Sequence, residues 1–75
     1  MNPTDRICRI LEEAAAAEPG SVHPSTALGE IDGWDSMGVV FFLGEAALHW
    51  PQVRIASDDV AACRTVADLA RLVQA

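Results

Sequence analysis

Few side chains in this sequence are placed to do chemistry, and Ser36 is the one that stands out. It follows a glycine-containing loop and opens an apolar helical stretch. A helix N-terminus offers unpaired N–H groups and a partial positive charge, a favourable field for a phosphate joined there. The ordinary reason for a serine at such a place is helix capping. No Gly-x-Ser-x-Gly elbow surrounds it. His23 and His49 are the only histidines, their spacing implies no triad, and both read as surface residues. Cys8 and Cys63 lie too far apart for a zinc or redox motif. Their apolar helical surroundings make them reduced, buried structural thiols. With no nucleophile–base pair and no metal-ligand cluster, neither a catalytic residue nor a metal site is expected.

The elements that must hold Ser36 can be read from periodicity and punctuation. Ile7, Ile10, Leu11 and Ala14 recur at the spacing of one helical face. Asn2 or Thr4 can cap that first helix, Pro3 suits its first turn, and Pro19-Gly20 stops it. Residues 19–35 form a long loop holding Pro19, Gly20, Pro24, Gly29 and Gly33, pinned by Val22, Leu28 and Ile31. Unstructured loops of this length are uncommon in small domains and are often functional. Asp35 and Ser36 open a second helix that runs to about Trp50, before Pro51. Ser57 can cap a short third helix over Asp58 to Cys63. Thr65 starts the fourth, with Asp68 completing a capping-box-like pair and Val66, Leu69, Ala70 and Val73 on its buried face. No segment alternates as a strand does. The expected fold is all-α: a small four-helix bundle of three longer helices and a short third one.

The second helix carries two apolar faces. Val39, Phe42, Leu43, Ala46 and Trp50 share one arc and suit the core. Met37, Phe41 and Leu48 share another, with Gly44 among them. Such a second stripe is either buried in a crowded core or exposed as a docking surface, and a domain this small has few elements to cover it. Gly38 and Gly44 each cost about 0.8–1 kcal/mol against alanine in a helix. They either admit a close backbone or are tolerated weaknesses.

The totals limit the function. The 75 residues make one domain, 1–75, which buries only roughly 60% of its unfolded surface. At 51% apolar it is too hydrophobic to be a disordered tail. Eleven acids against five bases, all arginine, give a formal charge of −6. Nucleic acid and anionic membranes are therefore unsuitable partners, whereas a protein with a basic docking patch suits. No apolar run reaches the roughly 18 residues of a membrane span. Met1 to Asp5 lack the order of a signal peptide. A cytoplasmic monomer is expected.

The run Gly33-Trp34-Asp35-Ser36-Met37-Gly38 resembles the signature of the acyl and peptidyl carrier protein family: Asp-Ser followed by Leu or Met, opening the second helix after a long loop. Leu28 and Ile31 match the family's loop anchors, and Trp50 its aromatic at the end of the second helix. Ser57-Asp58-Asp59, then Arg64-Thr65-Val66-Ala67-Asp68-Leu69, is similar to its short third helix and the opening of its fourth. The likeness spans essentially the whole chain. It implies a 4'-phosphopantetheine arm attached to Ser36 by a phosphopantetheinyl transferase, holding acyl, aminoacyl or polyketide cargo as a thioester. Asp35 matches the acid that helps place magnesium-bound coenzyme A in the transferase; it also suits a helix N-terminus on its own account. Partners would include an acyl-loading ligase or acyltransferase and a ketosynthase or other thioester-processing enzyme. The chain would itself be no enzyme. Asp35, Met37, Phe41 and Leu48 are the expected partner contacts.

The second helix departs from fatty-acid carriers, which are acidic there. It holds only Glu45, with Gly38, Phe41, Ala47 and Leu48 at positions often acidic in those carriers. Acids gather instead at Glu12, Glu13, Glu18, Glu30, Asp32, Asp58, Asp59 and Asp68. This favours a specialised-metabolite pathway, of polyketide or nonribosomal-peptide type, and leaves an aminoacyl or other small cargo open. Ala46 with Trp50 either reshapes a cavity near Cys63 or conserves core volume, the preferred reading. A helical interaction module without an arm is the competing function. A DNA-binding domain is disfavoured by charge.

Overall fold

Asn2 begins the first helix by accepting the Asp5 N–H on its side-chain oxygen at 2.8 Å, with proline in the first turn. In the computed structural model, which describes residues 2–31 and 33–74, helix α1 spans Pro3–Ala15. Asp32, one of the acids noted above, lies outside the described residues. The chain continues through a single 3-10 turn at Leu28–Glu30, then α2 (Ser36–His49), α3 (Ser57–Ala61) and α4 (Val66–Gln74). No strand forms among the described residues; one isolated antiparallel bridge joins Ala27 to Thr65.

Three apolar helix faces meet in one core. Ile7, Ile10 and Leu11 come from α1, Phe42 and Ala46 from α2, and Val66, Leu69, Ala70 and Val73 from α4, with Val60 of α3 closing one side. Val39, Leu43 and Trp50 pack against this cluster half-buried, so the inner arc of α2 faces inward as expected. Ala14 does not. It is exposed, on the rim of an open groove between α1 and α2. The helix stops before Pro19-Gly20: Ala16 turns into the left-handed region at φ 53°, and its N–H and that of Ala17 close on the Glu12 and Glu13 carbonyls.

The long loop is held at both ends. Val22 and Leu28 are buried and Ile31 half-buried against the core. The Glu12 carboxylate, itself buried, accepts the N–H groups of Gly20 (2.9 Å) and Val22 (3.1 Å). The Leu28 N–H bonds to the Arg64 carbonyl, while Val66 and Ala67 donate to the Thr26 and Pro24 carbonyls. The loop thus supplies acceptors that the start of α4 otherwise lacks.

Two caps differ from expectation. Ala56, not Ser57, precedes α3, and Ser57 is its first residue. The Ala56 N–H donates to Asp59 Oδ2 at 3.0 Å, half of a capping box; alanine has no side-chain acceptor for the other half. The helix ends at Ala61, so Cys63 lies beyond it and is only half-buried, where both thiols were expected in the core. At α4 the back-bonds form as expected: Asp68 Oδ2 accepts from Thr65 N (3.1 Å) and Arg64 N (2.9 Å).

Candidate functional site

The site is built by the turn that leads into α2. Gly33 adopts φ +80°, a conformation that side chains rarely take. Its carbonyl accepts the Asp35 N–H at 2.9 Å. Trp34 donates its N–H to the Ile31 carbonyl and sets its ring edge-on to Phe42, with centroids 6.4 Å apart. That contact anchors the turn to the core. Gly38 lies directly beneath: a Cβ there would stand 2.6 Å from the Gly33 carbonyl oxygen. Of the two readings offered for the α2 glycines, close backbone approach holds at Gly38. At Gly44 a Cβ would meet nothing within 4 Å.

The helix is capped by Asp35. Its Oδ1 accepts the N–H groups of Met37 at 2.9 Å and Gly38 at 3.3 Å, and its carbonyl accepts that of Val39. Ser36 is the first helical residue, not the cap, and it is exposed. Of the N–H groups expected to face an incoming phosphate, those of Met37 and Gly38 are therefore already committed to the Asp35 side chain. What these leave for a group joined to Ser36 is that residue's own N–H and the helix field, partly offset by the adjacent carboxylate.

Met37, Phe41 and Leu48 are brought together on the outer face of α2, exposed by 74%, 38% and 76%. Val40, absent from the expected stripe although it lies three residues from Met37, is also exposed and joins them. Phe42, next to Phe41, is fully buried. An open groove of ≈ 380 Å³ runs beside this stripe between α1 and α2, lined by Glu13 and Ala14 on one side and by Gly33, Asp35, Met37, Gly38 and Phe41 on the other. Sequence periodicity could not find Glu13 and Ala14, since only the packing of α1 on α2 brings them to the groove.

The remaining titratable groups lie elsewhere. His23 and His49 are exposed; His49 Nδ1 lies 3.2 Å from the Arg6 guanidinium and Nε2 3.6 Å from Glu45. Burial pushes the Cys8 and Cys63 thiols above their ordinary range, with nearby acids adding to it, so neither is an activated nucleophile. No group of three His, Cys, Asp or Glu that could hold a metal occurs among the described residues. None of their helices is long and apolar enough to cross a membrane. Compared with known proteins, the chain matches no family model, no curated protein and no solved structure.

Proposed function

We propose that this chain is a freestanding carrier of acyl-carrier type, holding biosynthetic intermediates on a 4'-phosphopantetheine arm at Ser36 in a specialised-metabolite pathway. The supporting observation is the division of labour at the start of α2. Asp35 makes the capping bonds, so the fold has no need of the Ser36 hydroxyl, and Ser36 is exposed one position further on. An ordinary capping serine would instead have its hydroxyl oxygen engaged with N–H groups of the first turn. The residues present fit the arm: an exposed primary hydroxyl can take a phosphodiester, and no buried group is displaced by it.

When bound, the arm supplies a thiol for thioester chemistry. The chain's own residues do the positioning. The Gly33–Gly38 contact and the Trp34–Phe42 packing fix where Ser36 stands. Asp35 places a carboxylate beside the hydroxyl, where a transferase would hold magnesium-bound coenzyme A. The stripe of Met37, Val40, Phe41 and Leu48 offers partners an apolar surface next to the modified residue. Loading ligases or acyltransferases, ketosynthases and the transferase itself are the partner classes this reading requires. The stripe alone would also serve a helical interaction module that never carries an arm, which is the second reading.

Incubation with coenzyme A, magnesium and a promiscuous phosphopantetheinyl transferase separates the two by intact mass. A single phosphopantetheine adduct is expected on the native chain and none on Ser36→Ala. No adduct, or one that survives the substitution, sinks the carrier reading and leaves the module.

A further inference from the structure

The helices of this domain share almost no polar side-chain contact. Among the described residues, side chain bonds to side chain at two places: Arg71 to Asp68 inside α4, and Arg6 of α1 to His49 of α2. The second alone joins two helices. Elsewhere α1 meets α2 through the apolar core, where Ile7, Ile10 and Leu11 cluster with Phe42 and Ala46. The acceptor in that one tie is an imidazole, a group whose charge ordinarily changes between about pH 5 and 8. The geometry selects its resting form. A guanidinium donates and cannot accept, so His49 Nδ1, 3.2 Å from Arg6 Nη1, carries the lone pair. The ring proton then sits on Nε2, which faces Glu45 Oε2 at 3.6 Å. His49 is thus neutral while the tie is made.

We infer that Arg6 and His49 form a proton-released clasp between α1 and α2. The proton enters at Nδ1, the atom that Arg6 occupies. It removes the acceptor and sets a second cation against the guanidinium. The imidazolium keeps its partners on its own helix: Nε2–H meets Glu45 as an ion pair, and the last turn of α2 favours positive charge. A groove of ≈ 160 Å³ at this junction is lined by Arg6, Arg9, Ile10, Glu13, Glu45 and His49. Arg9 and Glu13, its remaining charges, oppose one another and leave the choice to the Arg6 and Glu45 contacts. Protonation therefore turns His49 from a bridge between helices into a pair within one. The first turns of α1 lose their polar tie, and the groove is free to open over the buried Ile10. The ring is 34% exposed, so solvent screens the change and it loosens a helix end without unfolding the domain. Ser36 opens α2 and His49 ends it, about 20 Å apart at 1.5 Å per residue. The clasp thus lies at the far end of the helix and does not depend on the carrier reading.

The test is made on the unmodified chain between about pH 5 and 8. ¹H–¹⁵N spectra follow the His49 ring nitrogens and the Arg6 Nε–H group. Hydrogen exchange, corrected for the intrinsic effect of pH, follows the backbone amides. On acidification the Arg6 signal is expected to move together with the His49 ring. Protection of the amides from Arg6 to Ile10 should fall about fivefold, the size that one hydrogen bond supplies, while Leu69 to Val73 of α4 keep theirs. His49→Gln retains an acceptor for Arg6 but cannot titrate, so it should hold the protection of α1 across the range. An Arg6 signal that ignores the ring, an equal loss in His49→Gln, or protection that rises with acid overturns the inference. Should His49→Gln fail to fold, Arg6→Leu decides: low protection at every pH supports the clasp, and a native pH response without Arg6 overturns it.

Discussion

At the start of α2 two adjacent residues carry separate tasks, and substitution can pull them apart. Asp35→Ala removes the acceptor for the Met37 and Gly38 N–H groups and should cost about 1 kcal/mol of stability, read as a lower urea midpoint. Asp35→Asn keeps a comparable cap and should hold the midpoint within a few tenths of a kcal/mol. In the carrier reading it still slows attachment of the arm, because the carboxylate is gone; equal rates for Asp35→Asn and the native chain would assign Asp35 to capping alone. Sequence could not decide which of the pair caps the helix, since Asp and Ser are almost equally good at it and boundaries shift by a residue. Asp68 offers a second residue-scale test. The backbone N–H groups of Arg64 and Thr65, foremost, hold its carboxyl below the usual range, with Arg71 assisting. A depressed folded pKa means stability that is present above the unfolded carboxyl pKa and lost as pH falls through the folded one. Stability should therefore decline with acidification, and Asp68→Asn should flatten that decline while lowering stability at neutral pH. A pH profile of the urea midpoint checks both; an unchanged acid limb in Asp68→Asn would place the loss in other carboxylates.

Helix α2 shows what an element gains by being apolar on two sides. Its inner arc builds the core and its outer stripe stays in solvent. The two glycines on it should answer alanine with opposite signs. Gly44→Ala adds a methyl where nothing lies within 4 Å, so helix propensity alone applies and the chain should gain about 0.8–1 kcal/mol. Gly38→Ala would set a Cβ 2.6 Å from the Gly33 carbonyl oxygen, which must move and take the Asp35–Ser36 turn with it. It should destabilise despite the better propensity. Paired urea melts decide, and a gain from both would mean that the turn yields freely. Helices α1 and α4 were legible because each has a strong one-sided apolar period, and α2 through the loop before it and the proline after it; the inward faces of all three fall where wheel positions put them, apart from Ala14. Contacts between distant segments were not. Glu12 reads in the sequence as one more surface acid, yet it is buried and pins Gly20 and Val22, N–H groups supplied by a loop eight and ten residues on. No local pattern marks such an acceptor. Glu13 is equally anonymous among the acids of α1, and only helix packing turns it toward the groove beside Ser36.

For the whole molecule the decisive quantity is charge spread over a very small body. The chain carries a formal −6 within extents of 29 × 26 × 19 Å. At about 0.01 M salt the Debye length is roughly 30 Å, so charges at opposite ends still repel; at about 0.1 M it is roughly 10 Å and they largely do not. Against this repulsion the described residues set two side-chain ion pairs, one of which needs a protonated histidine. The cap contacts of Asp35, Asp59 and Asp68 are hydrogen bonds within a single turn, too short in range for salt to erase. Of the interactions that salt can screen, repulsion thus outweighs attraction. The urea midpoint should rise between about 0.01 M and 0.1 M sodium chloride and flatten beyond, where the Debye length is already well below the extents of the domain. Urea is the right denaturant because guanidinium chloride would itself screen the charges. A midpoint that falls with salt would mean that local attraction outweighs the net charge, with the acids placed nearer the five arginines than two ion pairs imply.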